Sequence, residues 1–413
     1  MKIAHFSWEF PPVIYGGLGT FAAELTKKQD YFGNKVTVFS LNQDNKFKAY
    51  EKWNGIEIYR PKILDLTQTF NLFAAHELRS WGTNLKFFAD VVSYNTSSAS
   101  QLVNELVKKK KKSYDIIDAH DWLGIIGGMV IKKELKIPLV FHVHSTEYGR
   151  SVGDGSHTIK NIEYDGGQVA DRVITVSYAM KDELEKLGYP SEKIRVCWNG
   201  VDPAKYDPKK VSEEEKKQLR RRYGIQNDEI MLFFIGRLVT VKGIYNLVKA
   251  MPNILQDFPK SKLVVLGIGD MEEELKFLTK DLNIQDNVIF RTEFVDEKER
   301  IIHYAAADCV VLPSTYEPFG IVCTESMSME KPTVVGANGT NGFREQIIPD
   351  GKNKCGIHIN PHDPNDIAWG IKEILKLEDK GKLIGKNARK RVLETFSWDS
   401  VTKRTLDIYK EII

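Results

Sequence analysis

Short apolar runs alternate with longer amphipathic stretches along this chain, and the series is made twice. No other feature restricts the fold as strongly. Lys2–Phe6, Lys35–Phe39, Ile56–Tyr59, Asp115–Ala119, Pro138–Val143 and Arg172–Val176 are near-continuous apolar runs, the pattern of strands buried on both faces of a parallel sheet. Helical stretches such as Phe21–Tyr31, Ser98–Lys110 and Tyr178–Leu187 lie between them. The pattern breaks at Asn199-Gly200-Val201-Asp202-Pro203 and stays polar through Lys217. It restarts with Met231–Ile235, Lys262–Leu266, Val288–Phe290, Asp308–Leu312 and Thr333–Val335. Two βα series predict an α/β chain of two Rossmann-like, doubly wound domains facing a central cleft. A length of 413 residues agrees, since one hydrophobic core rarely serves so long a chain. The expected division is residues 1–205, residues 206–395, and a last helix within 396–413 that crosses back onto the first domain. Leu64–Asn95 has no strand pattern and is rich in Phe, Leu and Ala, which predicts a helical insertion covering the cleft.

Composition narrows the function. A net charge of +3 over this length leaves no global nucleic-acid footprint. Lys108–Lys112 is the one conspicuous charge run. A solvated helix end explains it, and a membrane or acidic-partner patch is the alternative. Cys197, Cys309, Cys323 and Cys355 form no C-x-x-C pair, so isolated reduced thiols are expected rather than a disulfide or zinc framework. No charged n-region leads into a long apolar segment, and no window makes an unbroken membrane span. A cytoplasmic protein without membrane insertion is the expectation.

The chemistry concentrates at predicted strand ends. Glu317-Pro318-Phe319-Gly320 follows an apolar strand, and Glu325 stands about two helical turns further on, roughly on the same side. Ligands of open α/β sheets bind outside the carboxyl ends of strands, and two acceptor-only side chains there suit the hydroxyls of a sugar or ribose. Gly236-Arg237 and Lys242-Gly243 bracket the first loop of the second domain. Arg offers a fork and Lys a point charge, a clamp for a diphosphate; two solvated loop cations are the plainer alternative.

In the first domain, Gly16-Gly17-Leu18-Gly19 opens a helix, where free amides favour phosphate. It lies too far beyond the first strand for a dinucleotide fingerprint, and the second strand lacks the following ribose-binding acid. His120-Asp121-Trp122 and His142-Val143-His144-Ser145-Thr146-Glu147 end two more strands. Neither has partners at metal spacing, so no metal and no cofactor are expected. A structural histidine is the alternative at each. Two polar clusters on one sheet edge favour a substrate site.

Together the Gly-Gly-Leu loop, the His-Asp-Trp motif, the Gly-Arg…Lys-Gly pair and the Glu-Pro-Phe-Gly…Glu segment resemble the GT-B retaining glycosyltransferases of families 4 and 5, which include the glycogen and starch synthases. The resemblance covers nearly the whole chain. It implies that Arg237 and Lys242 hold the donor diphosphate, that Glu317 faces the transferred sugar and that Glu325 binds the ribose. The amides of Phe319 and Gly320 would lie beside the sugar, and Gly16 and Gly17 would close over the phosphates. His144 would stand near the reacting carbon. Asp121 would face the transferred sugar or acceptor, Asn199 matches the Asn-Gly ending the first domain, and Trp122 would offer an aromatic face to an acceptor sugar. Three departures stand out. Ile14-Tyr15 replaces a Lys, Asn341-Gly342 replaces a second donor-side Gly-Gly, and His144–Arg150 is closer to family 4.

The reaction so implied is retaining transfer of glucose from UDP- or ADP-glucose to an α-glucan chain end. The alternative is a family 4 transferase acting on a small sugar, a sugar phosphate or a lipid. A retaining hydrolase would need a second carboxylate about 5–5.5 Å from the first, flanking the bond, and none is evident. An epimerase would turn over without an acceptor, and a phosphorylase would need a pyridoxal-binding lysine that cannot be identified. A binding module would have no use for cations placed to stabilise a leaving group.

Overall fold

The structure, a computed structural model, describes residues 1–14, 16–73, 81–82, 84–379 and 381–413. The chain divides into two compact units. One contains Met1–Val176, Lys181–Cys197 and Trp398–Ile413, and the other Ser177–Met180 and Trp198–Ser397.

Eight strands build the first unit's sheet: β1 Lys2–Phe6, β2 Lys35–Phe39, β3 Tyr50–Trp53, β4 Ile56–Tyr59, β5 Ile116–His120, β6 Leu139–Val143, β7 Arg172–Thr175 and β8 Ile194–Val196. Their order is β3-β4-β2-β1-β5-β6-β7-β8, so the winding reverses between β1 and β5. Every residue of β5 and β6 is buried, as their apolar runs require. The sequence pattern missed β3 and β8. β3 pairs antiparallel with β4 across Asn54-Gly55, both at positive φ. That dipeptide is a strong hairpin signal, but the charged alternation of Tyr50–Trp53 hides the edge strand. β8 is only three residues long.

The helical expectation for 64–95 holds at Thr67–Phe73 and in Asn84–Ser100, which continues as a π-helical stretch, Gln101–Lys109. Positions 74–80 and 83 of that insertion lie outside the described residues. Phe70 and Phe88 of the insertion pack into an aromatic cluster with Trp8, Tyr94 and Trp122. Of the lysine run, Lys112 is not simply solvated: its ammonium pairs with Glu57 at 2.6 Å. All four cysteines are buried and free. The last helix, Trp398–Lys410, belongs to the first unit and packs Trp398 against Phe21 at 5.7 Å between ring centroids.

The second unit's sheet is wholly parallel, with β9 Ile230–Ile235, β10 Ser261–Leu266, β11 Val288–Arg291, β12 Cys309–Leu312, β13 Thr333–Gly336 and β14 Ile357–Ile359 in the order β11-β10-β9-β12-β13-β14. β14, three residues long, was missed in the sequence. Leu232, Phe234, Leu263, Val265 and Val311 face Leu247, Val248, Met251 and Ile371 in its core. The winding reverses between β9 and β12, and loops there crowd together. Gly243 sits at φ +67°, and a Cβ on it would fall 1.9 Å from the Pro313 carbonyl oxygen. Left-handed backbone costs an L-residue about 1–2 kcal/mol, and the overlap adds to it. Gly243→Ala is therefore expected to lose at least about 1–2 kcal/mol of stability in urea unfolding; an unchanged midpoint would contradict the close approach of these two loops.

Candidate active site

In a parallel sheet every strand end of one kind lies at the same edge, so the loops after β9, β12 and β13 meet at the reversal point of the second unit. Arg237 follows β9 after a single residue, Gly236. It is exposed, and its guanidinium has no hydrogen-bond or ion-pair partner among the described residues. Lys242 ends a short 3-10 turn, Thr240–Lys242, and its ammonium meets the Glu317 carboxylate at 2.5 Å. Ser314 Oγ donates to the same carboxylate oxygen at 3.3 Å. Backbone bonds hold the Glu317 loop on both sides: the Thr315 amide donates to the Val241 carbonyl at 2.9 Å, and the Gly342 amide to the Glu317 carbonyl at 2.7 Å.

Asn341 serves this loop through its side chain, which is wholly buried, donating to the Ser314 carbonyl at 2.8 Å and accepting from the Phe343 amide at 3.1 Å. Gly342 lies against the backbone of Pro318 and Phe319, where a Cβ would come within 2.4 Å of the Pro318 oxygen. The Asn341 side chain thus braces the Glu317 loop, which leaves the backbone of Asn341-Gly342 for the expected donor contact. Gly320, at φ +83°, starts the helix Ile321–Ser328. The Phe319 ring is buried and its carbonyl accepts from Gln346 at 2.6 Å.

Glu325 lies on the buried face of that helix. Tyr206 and Tyr304 donate to its two oxygens at 2.7 and 2.8 Å, and Arg300 approaches Oε1 at 3.3 Å. Burial, and then the Glu325 charge, push both tyrosine hydroxyls above their ordinary range, so both remain protonated donors. Among the described residues Glu317 and Glu325 have separate polar partners, Lys242 and Ser314 for the one and Tyr206, Tyr304 and Arg300 for the other. Asn199, also in this unit, has a buried side-chain oxygen with no hydrogen-bond partner among the described residues.

The first unit presents a buried polar row. Strand side chains alternate with period two, and the register pairs His5 with Asp118 and His120 with His142. The imidazoles of His5, His120, His142 and His144, with the Asp118 carboxylate, therefore line one face. His5 Nδ1 lies 3.1 Å from His120 Nε2, and His120 Nδ1 3.1 Å from His144 Nε2. The rings of His142 and His144 stack at 4.8 Å, and Phe21 meets each of them edge-on at 4.7 Å. Burial lowers the pKa of His5 and His144, and takes His120 down to about 3. Asp121 stands at φ +52°. Its carboxylate accepts from the His144 amide at 2.7 Å, and burial raises its pKa to about 6.

Residues 15–205 match the family described as Glycosyltransferase Family 4, and residues 215–391 the one described as Glycosyl transferases group 1. An uncharacterized glycosyltransferase of Methanocaldococcus jannaschii is 36% identical, over 99% of this chain and 98% of its own length. The chain belongs to the glycosyltransferases. A glycogen synthase of Mycobacterium tuberculosis is 27% identical to it over 99% of this chain and 94% of that one. The sucrose-phosphate synthase structure from Thermosynechococcus elongatus covers all of this glycosyltransferase and 98% of itself, with a TM-score of 0.79 at 22% identity. That likeness shows the GT-B fold.

Other sequence expectations meet the structure unevenly in this glycosyltransferase. Trp122 is 5% exposed, stacked on Phe88 at 6.3 Å and edge-on to Phe87 at 5.9 Å. Its ring is a core element, which corrects the acceptor face expected of it. The Asp121 carboxylate addresses the His144 backbone rather than open space. Gly16 caps the helix Gly17–Tyr31, and its amide donates to Glu9 Oε2 at 3.1 Å, so an anion reaching that amide must displace a carboxylate. Tyr15 lies outside the described residues. Among those residues, no helix is long and apolar enough to cross a membrane.

The buried row itself escaped the sequence reading, although His residues two apart in adjacent predicted strands signal a shared face. His120, His142 and His144 offer ring nitrogens within 4.8 Å of one another. Both nitrogens of His120 already face imidazole partners, so a cation there must break the row. Folded His5, His120 and His144 stay neutral where unfolded histidine, near 6.5, takes a proton. The unfolded chain then binds more protons, and stability falls with pH. The stability is present above about pH 6.5 and lost toward about pH 3. The urea midpoint of the glycosyltransferase should drop between pH 7 and 5 in wild type and drop less in His120→Gln; equal slopes in the two proteins would contradict neutral burial.

Proposed function

We propose that this glycosyltransferase transfers glucose from UDP- or ADP-glucose to the chain end of an α-glucan, with retention at the anomeric carbon. The observation that carries the donor half is the Arg237 guanidinium, without a polar partner among the described residues, on the same loop as Lys242 of the Lys242–Glu317 pair. A diphosphate approaching this loop meets one cation without a competing anion among the described residues and a second, Lys242, whose anionic partner among them is the Glu317 carboxylate. Arg237 takes the phosphate oxygens as a fork and Lys242 as a point charge. The amides of Phe319 and Gly320, just ahead of the helix Ile321–Ser328, lie beside the transferred sugar. Glu317, its loop held by Thr340, Gly342 and Val241, accepts from the sugar hydroxyls and stabilises positive charge at the ring. Glu325 keeps a lone pair on Oε2 for a ribose hydroxyl.

On the acceptor side, His144 stands by the reacting carbon, held through its amide by Asp121. The glycosidic bond to phosphate breaks through an oxocarbenium-like state, and the acceptor oxygen attacks from the same face. The departing phosphate, neutralised by Arg237 and Lys242, takes the acceptor proton. Each preorganised cation supplies about 3 kcal/mol, roughly 10²–10³ in rate. The similarity to a glycogen synthase over 99% of the chain supports glucan as the acceptor, and it fits a cytoplasmic location.

The test is release of nucleoside diphosphate from UDP-glucose and ADP-glucose, with and without glycogen. Glycogen-dependent release from one donor is expected. It should fall about 10²–10³-fold in Arg237→Ala and in Lys242→Ala, and be lost in a folded Glu317→Ala. Donor binding with no stimulation by glycogen would overturn the glucan acceptor and leave small sugars, sugar phosphates and lipids as candidates.

A further inference from the structure

The buried row of the first unit has a direction. Asp118 is fully buried and, as a carboxylate, only accepts. Burial opposes its charge, but the imidazoles of His120 and His142 more than offset that and hold it below the usual carboxylate range. The Tyr409 hydroxyl donates to Asp118 Oδ2. Its proton committed there, the Tyr409 oxygen can only accept, so the Gln29 group facing it at 3.4 Å is the amide NH₂. Gln29 Oε1 then faces His5 Nε2 at 2.7 Å, and His5 carries its hydrogen on that atom. A neutral imidazole has one N–H and one lone pair. His5 Nδ1 therefore accepts from His120 Nε2, and His120 Nδ1 accepts from His144 Nε2. The opposite direction would set the Tyr409 oxygen lone pair against a buried carboxylate. His142 is set the other way: its Nδ1 points at Asp118 Oδ2 at 3.4 Å, and its Nε2 is buried without a partner among the described residues.

We propose that Asp118, Tyr409, Gln29, His5 and His120 form a one-way hydrogen-bond relay that locks His144 as its Nε2–H tautomer, leaving the Nδ1 lone pair to accept from a sugar hydroxyl. His144 is the only partly exposed imidazole of the row, and its Nδ1 has no partner among the described residues. Parallel stacking on His142 and the Phe21 edge fix the ring plane. An acceptor nitrogen selects a hydroxyl and rejects phosphate or carboxylate oxygens, which have no hydrogen to give. The five relay members are positioning residues. Only the identity of the ligand rests on the proposed sugar-transfer function; the relay stands without it.

Long-range proton–nitrogen correlation of the imidazoles in the full ¹⁵N-labelled chain, at pH 7.5 and without ligand, reads the tautomers directly. His5, His120 and His144 are expected as Nε2–H and His142 as Nδ1–H. An Nδ1–H or imidazolium form of His144 overturns the relay, whatever the enzyme's substrate. In Tyr409→Phe, His144 is expected to become a mixture of tautomers. If that variant does not fold, the wild-type spectrum alone decides. UDP-glucose or ADP-glucose, whichever supports transfer, is then added to wild type. A shift of His144 Nδ1 supports the hydroxyl contact, and an unmoved Nδ1 in an active enzyme overturns that half while the relay stands.

Discussion

The ion pair between Lys242 and Glu317 is the interaction on which the second unit's candidate site depends. It joins the loop after β9 to the loop after β12, where the strand order reverses and a crevice is built into the topology. The pair forms because the backbone permits it. Gly243 lets one loop lie on the Pro313 carbonyl, and Gly342 lets the 338–342 loop lie on Pro318 and Phe319. Asn341, buried and bonded on both sides, fixes the third loop. The glycines thus bring backbone to backbone, and the charges follow. Arg237, two residues beyond β9, makes none of these bonds and is exposed.

The first unit uses a different device. Its central parallel strands β5 and β6 are buried on both faces, and on one face the apolar lining is replaced by four imidazoles and a carboxylate. Such a row is stable only where most of its polar atoms find partners. Gln29 and Tyr409 extend it from the helices Gly17–Tyr31 and Trp398–Lys410, and Asp118 Oδ1 and His142 Nε2 stay without a partner among the described residues. The last helix of the chain therefore contributes to the polar chemistry of the first unit as well as to its packing. A buried, fully directed network also holds the ring of His144 in one orientation at the end of β6.

The fold was largely legible because period and burial speak the same language in parallel sheets. Eleven strands read as apolar runs, and the three missed, Tyr50–Trp53, Ile194–Val196 and Ile357–Ile359, are short or edge-like segments whose pairing depends on neighbours. The edge on which Arg237, Lys242 and Glu317 lie was legible for a related reason: loop residues directly after a strand have a fixed edge. Helix faces were harder. Counting turns puts Glu325 roughly on the side of Glu317, but it does not show the two tyrosines, Tyr206 and Tyr304, that donate to its carboxylate. Trp122 looked like a ligand platform because sequence shows a residue's type and not the aromatic cluster around it. The imidazole row needed strand register, which no single strand reveals.

The central claim is that Arg237 and Lys242 recognise a diphosphate, and binding measures this without knowledge of the acceptor. Calorimetric titration of UDP, ADP, uridine and adenosine into wild type, Arg237→Ala and Lys242→Ala separates phosphate from nucleoside. Each variant is expected to lose about tenfold or more in affinity for the preferred diphosphate, roughly 1.4 kcal/mol, with nucleoside affinity unchanged. Diphosphate affinity equal to wild type in both variants would contradict it.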